Sequence, residues 1–292
     1  MKSGQVILPT SSRWGVFMLS FVVMFIFTGI CTGVLENLGL TERTRVLTLS
    51  VIQGILAFTM PTLLTWMLTS RDPASEIGLR QHVSSRYWIW IIALYLLAYP
   101  GMCQTVFWNE HMDFPASMSG LEQTLRKWET AGADTTDAIL SVQSVWGLIV
   151  NILIVGLFTG CVEEMFFRAG LQNLMVRSGI RPVAAVWIAA FIFSAVHMQF
   201  FGFLPRLLLG AMFGYVYYRT GSLPASALLH GLNNSVVVFT TWLSAHGIIN
   251  NDIDSFFINE SGFPWIFLIS LAATAAFLYL TGRNSRMFKE KT

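Results

Sequence analysis

The chain alternates between long apolar runs and shorter polar connectors. A helix needs about 20 apolar residues to cross a bilayer. Eight runs reach or approach that length: residues 14–35, 46–68, 87–108, 145–171, 183–197, 203–218, 223–245 and 264–281. This pattern predicts an all-α, polytopic membrane helical bundle of about eight transmembrane helices, with residues 1–292 forming a single transmembrane domain.

Two of these runs leave their topology open. The runs at 183–197 and 203–218 are short, and only residues 198–202 separate them. They either cross the bilayer one after the other or form a partly re-entrant pair.

The basic residues predict the orientation of the chain. If the N-terminus is cytoplasmic, twelve Lys and Arg residues fall inside and five fall outside, with Arg168 set aside as intramembrane. Because cytoplasmic loops of membrane proteins are enriched in basic residues, this difference places both termini in the cytoplasm. We expect an integral protein of the bacterial inner (plasma) membrane.

Composition excludes a soluble domain. The chain is 54% hydrophobic and 12% charged, and its mean hydropathy is +0.60. A soluble domain carries about 25% charged residues. The three cysteines lie in apolar runs without paired spacing, which argues against a disulfide framework or a cysteine metal site.

The longest connector predicts a surface helix. Residues 109–144 are acidic, and within residues 119–130 the apolar side chains Leu121, Leu125 and Trp128 recur at helical spacing. We expect a short amphipathic helix at the outer membrane interface. Its role has two alternatives: it gates substrates, or it is a solvated connector with one apolar face.

Three charged residues lie deep in the fourth run: Glu163, Glu164 and Arg168. Charges at that depth are costly and are usually functional. Glu164 and Arg168 have i,i+4 spacing, which predicts an ion pair. Glu163 is rotated by about 100° from Glu164 on a helix and has no local partner. We therefore expect Glu164 to be structural and Glu163 to be chemically active.

Polar residues in two later runs could join Glu163. His197 ends one run, and His230 and Asn234 share one face of another, from which Asn233 points away. Each alone is more often a structural hydrogen-bonding residue within a helical bundle. Together with Glu163, however, they supply a base, two imidazoles and an amide from three separate helices.

Other intramembrane hydrolase motifs are missing from the sequence. The chain has no HExxH motif, no GxSG around a serine and no GxGD motif. A serine nucleophile is therefore not expected, and an activated water remains as the attacking group.

Three motifs together resemble the CPBP family of intramembrane proteases, which is also called the Abi or type II CAAX prenyl endopeptidase family and includes bacteriocin-processing members. The motifs are Glu163-Glu164-x-x-x-Arg168, Phe193-x-x-x-His197 and His230-x-x-x-Asn234. The resemblance covers about residues 148–239. It implies a helical bundle with a polar cavity open toward the cytoplasm, and we expect its catalytic core at residues 145–245.

By position, the resemblance also implies roles for the site residues. Glu163 corresponds to the base that activates water, and His197 corresponds to its partner. His230 and Asn234 correspond to residues that stabilise an oxyanion or help to hold a metal. Glu164 and Arg168 occupy flanking motif positions.

The cofactor is left open by these residues. One alternative is zinc held by Glu163, His197 and His230, with water as the fourth ligand. The other is a water activated by Glu163 without a metal, since a metal-bound carboxylate is a weaker base.

We predict an intramembrane endopeptidase (a metalloprotease if zinc is bound) that hydrolyses peptide bonds near the cytoplasmic half of the membrane. The alternatives are a non-catalytic immunity or scaffold protein of the same fold, or a proton-coupled transporter. The expected partners are the lipid bilayer and a peptide or membrane-protein substrate, without nucleic acid.

One expectation does not fit this site. At 1.5 Å per helical residue, Glu163 and His230 lie about 10–15 Å from the predicted inner helix ends, whereas His197 lies about 24 Å away. A tilted helix, or a turn at residues 177–182 that dips into the protein, would remove the mismatch.

Overall fold

The computed structural model describes residues 7–249, 256–260 and 263–283, and their regular elements are all helices. In chain order these helices are α1 (Arg13–Glu36), α2 (Glu42–Thr69), α3 (Pro73–Glu76), α4 (Ser85–Glu110), α5 (Ser119–Leu140), α6 (Val145–Arg177), α7 (Pro182–Ala195), α8 (Phe203–Thr220), α9 (Leu223–Ala245) and α10 (Trp265–Arg283). Each of the eight apolar runs falls on a helix, with residues 196–197 and 264 lying just outside the helix ends. The prediction of an all-α bundle is confirmed.

Membrane insertion follows from the length and composition of these helices. Five are long and apolar enough to cross a membrane: α1, α2, α4, α6 and α8 with its preceding turn. Two further apolar helices, Pro182–Ala195 and Trp265–Thr281, are shorter. Helix α9 has 23 residues but carries the polar side chains of His230, Asn233 and Asn234. The chain is an integral membrane protein, and the number of crossings stays a prediction.

The orientation of the chain also stays a prediction. Four of the basic residues on which it rests, Lys2, Arg286, Lys289 and Lys291, lie outside the described residues.

Helix α1 shows how the bundle meets its surroundings. Its residues Leu19, Phe25 and Ile30 are more than half exposed, whereas Phe17 on the opposite side is buried. Apolar side chains on the outside of a bundle suit a lipid solvent. Because lipid tails are as apolar as leucine, helices in a membrane associate through close packing of small residues rather than through hydrophobic burial.

The closest approach of this kind joins α6 and α9. Gly156 and Gly160 on α6 face Gly231 and Ser235 on α9. A Cβ atom at Gly160 would lie 2.7 Å from the backbone nitrogen of Gly231, and one at Gly156 would lie 2.3 Å from Oγ of Ser235. Side chains at these positions would force the two backbones apart.

Helix α6 is not a regular α-helix along its length. It widens into π-helix at Ile152–Phe158 and again at Met165–Gln172. At the first of these, the hydroxyl of Thr159 donates to the carbonyl oxygen of Ile154, five residues earlier, at 2.9 Å. Such π-helical turns are rare and are frequent at functional sites. The second begins immediately after Glu164.

The length of α6 changes the expected depth of Glu163. We expected its inner end near residue 171, but the helix continues to Arg177. Glu163 therefore lies about 20 Å from that end, comparable to the depth expected for His197. His230, seven residues after the start of α9 at Leu223, stays about 10 Å from that end, so the mismatch now separates His230 from Glu163.

Helix α5 is longer than the sequence pattern indicated. We expected a short helix at residues 119–130, and the structure has Ser119–Leu140. The additional turns end in Ile139 and Leu140, which are buried in a cluster with Leu47 and Leu148. Packing against α2 and α6 thus extends a segment whose polar sequence gave no signal.

The α6–α9 contact gives a prediction on stability. Gly160→Ala should destabilise the protein by about 1–3 kcal/mol, the usual cost of overpacking a close contact. Gly33→Ala is the matched control, because Gly33 is also helical and a Cβ there would meet nothing within 4 Å. Unfolding in mixed detergent micelles measures both. Equal stability of the two variants would mean that the helices are not in backbone contact.

Candidate active site

Glu164 and Arg168 form a fully buried ion pair. Both side chains have no exposed surface, and Nε of Arg168 lies 3.0 Å from Oε2 of Glu164. The contact at Nε does not meet hydrogen-bond geometry, and neither Nη of Arg168 has a hydrogen-bond partner among the described residues. The guanidinium also lies over the ring of Phe193, 5.5 Å from its centroid. The i,i+4 spacing predicted this pairing.

Glu164 also binds α9. Its Oε1 lies 3.1 Å from Nδ1 of His230, and the hydroxyl of Ser226 donates to Oε2. Ser226 can instead donate to the carbonyl oxygen of Phe213, at 3.0 Å. Because an ionised carboxylate only accepts hydrogen bonds, the proton of His230 is on Nδ1 in this contact. Glu164 therefore fixes the tautomer and the direction of the ring.

The ring of His230 is packed on both sides. It stacks on Phe213, with 4.5 Å between ring centroids, and meets the edge of Phe193 at 5.7 Å. With Nδ1 held by Glu164, its Nε2 is directed at Glu163, 3.6 Å from Oε2. This distance exceeds that of a hydrogen bond.

Glu163 is the less constrained of the two carboxylates. Its side chain is 13% exposed, whereas that of Glu164 is fully buried. It lies close enough to both His197 and His230 to interact with them electrostatically. The two neighbouring glutamates therefore lie against different nitrogens of the same His230 ring.

His197 lies just beyond the end of α7. Its Nδ1 is 2.7 Å from the carbonyl oxygen of Phe193, one turn earlier. A carbonyl oxygen only accepts, so Nδ1 carries the proton and Nε2 is the free nitrogen. The ring also packs against the edge of Phe193, with 5.1 Å between centroids. The orientation of His197 is thus set within its own turn.

The two asparagines of α9 are linked to each other. Nδ2 of Asn234 lies 3.4 Å from the carbonyl oxygen of Val155, and Nδ2 of Asn233 lies 3.3 Å from Oδ1 of Asn234. The hydroxyl of Tyr95 on α4 donates to Oδ1 of Asn233 at 3.1 Å. The hydrogen bond from Asn233 therefore restrains the side-chain amide of Asn234.

The comparison with protein families covers this same group of residues. Residues 145–236 match the model of the Rce1-like family, described as type II CAAX prenyl endopeptidase Rce1-like. The match covers 92 of the 292 residues, so this segment is similar to that family. The matched segment, called the family core below, contains all six candidate site residues. No significant match was found among curated proteins or among solved structures.

Three contributors to the site were missed in the sequence. Ser226 binds Glu164, Phe213 stacks on His230, and Tyr95 binds Asn233. Ser226 precedes His230 by four residues in the family core, so helical spacing could have placed it on the same face. Nothing in the spacing of Phe213 or Tyr95 indicates a contact, because each lies on a different helix from its partner.

A zinc site needs at least three side chains that converge on one point. Within the described part of the chain, no three His, Cys, Asp or Glu side chains are placed so that they could hold one metal ion. The donors Glu163, His197 and His230 lie in the same region of the family core without such convergence. Zinc as a cofactor stays a prediction from the sequence.

The buried pair gives the second prediction. Arg168→Ala should destabilise the protein by about 3–5 kcal/mol, because it leaves Glu164 as an unpaired buried charge. The double variant Glu164→Gln, Arg168→Gln should recover part of that loss. Thermal unfolding in detergent measures all three proteins. A double variant that is no more stable than Arg168→Ala would contradict a direct pair.

Proposed function

We propose that this protein is an intramembrane endopeptidase of the CAAX protease type. The family match supports protease function at the level of the family. The observation that carries the proposal for this chain is the placement of Glu163. Its carboxylate lies 3.6 Å from Nε2 of His230 and within electrostatic reach of His197, beside a second carboxylate that is already paired.

In the proposed reaction, a water molecule attacks the carbonyl carbon of the scissile peptide bond. Glu163 accepts one proton of this water, and the free Nε2 of His197 accepts a hydrogen bond from the other. Because both groups are acceptors, the lone pair of the water oxygen is left for the carbonyl carbon. Glu163 is suited to be the base because it has no ion partner on its own helix.

The attack creates a tetrahedral intermediate with a negatively charged oxygen. Asn234 offers the second N–H of its amide to that oxygen, and His230 offers Nε2–H when its ring carries both protons. The carbon–nitrogen bond then breaks. The proton held by Glu163 passes to the leaving nitrogen, and the products are a carboxylate and an amine.

Glu164 and Arg168 would support this reaction without contacting the substrate. Glu164 holds the ring of His230 through Nδ1, and Arg168 balances the charge of Glu164. A carboxylate that orients a catalytic histidine in this way recurs in hydrolases on unrelated folds.

The family description suggests the substrate class. We propose a peptide or membrane protein whose C-terminal region is cleaved, with a prenylated CAAX sequence as the first substrate to test. Glu163 lies nearer the Arg177 end of α6 than the Val145 end. If that end faces the cytoplasm, the cleavage takes place in the cytoplasmic half of a bacterial inner membrane.

The third prediction tests the base. Glu163→Gln should lower proteolysis at least about 100-fold, because the amide keeps the shape of the side chain but cannot accept the proton. Unfolding and membrane insertion should be unchanged. Glu36→Gln, at an exposed glutamate of α1, is the control and should keep full activity.

Two assays measure this effect. One compares the protein termini in membranes from cells that express the wild type, Glu163→Gln or Glu36→Gln. The other follows cleavage of a farnesylated CAAX peptide by purified protein. The base assignment is wrong if Glu163→Gln keeps more than a few per cent of the wild-type rate.

The fourth prediction concerns metal. We expect purified, active protein to keep its activity in phenanthroline and to contain less than stoichiometric zinc, since the proposed base is Glu163 itself. Elemental analysis and the chelator assay measure this together. Stoichiometric zinc that disappears with activity in His197→Ala and His230→Ala would contradict the metal-free reaction.

A further inference from the structure

The turn between α7 and α8 begins with His197 and is held from outside the family core. We propose that Asn109 on α4 and Glu129 on α5 are positioning residues for the proposed proteolysis. They fix residues 198–204 and, through them, the imidazole of His197. This inference rests on the proposed function, because it assigns a catalytic task to His197.

The position of His197 depends on a short and unusual stretch of backbone. Helix α7 ends at Ala195, and Met198, the residue after His197, has a φ of 55°. Residues with a side chain seldom adopt this left-handed conformation. A backbone of this kind persists when surrounding contacts hold it in place. The contacts that hold this turn are therefore candidates for controlling where His197 points.

Asn109 supplies two of these contacts from the end of α4. Its Nδ2 donates to the carbonyl oxygen of Phe200 at 3.1 Å, and its Oδ1 accepts from the backbone N–H of Leu204 at 2.8 Å. The side chain is only 1% exposed. Because this buried amide binds backbone groups of both Phe200 and Leu204, it fixes the distance between them.

Glu129 supplies contacts from α5. Its Oε2 accepts from the backbone N–H of Phe201 at 2.9 Å. Its charge also attracts Arg206, whose Nη1 donates to Oε1 of Gln199 at 3.1 Å and whose Nη2 donates to the carbonyl oxygen of the same residue. Glu129 thus acts on the turn directly and through Arg206.

A glycine lets α5 lie this close to the turn. A Cβ atom at Gly132 would lie 2.4 Å from Nε2 of Gln199, whereas one at Gly120 on the same helix would meet nothing within 4 Å. Six residues earlier on α5, Arg126 lies over the ring of Phe201, 4.3 Å from its centroid. Helix α5 therefore packs on the turn along one face.

Enzyme kinetics test the role of Glu129. In Glu129→Ala, kcat for a farnesylated CAAX peptide should fall about tenfold, since a small displacement of a catalytic group is enough for such a loss. KM should change less than about twofold, because no substrate contact is removed. Glu129→Gln keeps an acceptor for Phe201 and should restore kcat to within about twofold. Asp134→Ala removes an exposed carboxylate from the same helix and should resemble the wild type.

A second measurement follows the NMR signal of the His197 imidazole and needs no substrate turnover. The chain has five histidines, so ¹³C-labelled imidazoles give few signals, and loss of one in His197→Gln assigns it. The His197 signal should shift or broaden in Glu129→Ala and in Gly132→Leu. It should keep its wild-type position in Asp134→Ala and in Gly120→Leu.

The kinetic and imidazole measurements distinguish a failure of the proposed function from a failure of the positioning inference. A wild-type protein that cleaves no substrate contradicts the proposed function, and the imidazole signal still decides whether α5 positions His197. An unchanged His197 signal in both Glu129→Ala and Gly132→Leu overturns the inference, as does a wild-type kcat in Glu129→Ala.

Discussion

The close contact between α6 and α9 is the constraint on which the site depends. Gly156 and Gly160 meet Gly231 and Ser235, so the two backbones approach more closely than larger side chains would permit. Both halves of the site lie within a few positions of these small residues. Glu163 comes one turn after Gly160, and His230 directly precedes Gly231. Packing and chemistry are therefore specified by the same two short stretches of sequence.

The contact also explains how two carboxylates can lie next to each other inside a membrane protein. An isolated charge in such a place is very costly. Glu164 reduces this cost through Arg168, His230 and Ser226, which come from both helices. Glu163 has no comparable set of partners, and it is the carboxylate that we propose as the base. Two adjacent residues of the same type thus acquire different environments.

Much of the fold and part of the site could be predicted from the sequence. Long apolar runs determine the helices, and the i,i+4 spacing of Glu164 and Arg168 predicted their pairing. The end of α6 was missed because the polar Gln172 and Asn173 interrupt the apolar run. The extension of α5 was missed because Ile139 and Leu140 are buried only by distant residues. Tyr95 and Glu129 could not be found, since their contacts join parts of the chain that no local pattern connects.

In the proposed reaction, a water molecule activated by Glu163 attacks the peptide bond directly. Cleavage of a farnesylated CAAX peptide by excess purified protein in H₂¹⁸O tests this within a single turnover, with mass spectrometry of the new C-terminal carboxylate. Direct attack predicts one ¹⁸O atom in that carboxylate in the first turnover. A first product that carries only ¹⁶O would mean that a protein carboxylate had attacked instead, and it would contradict the account.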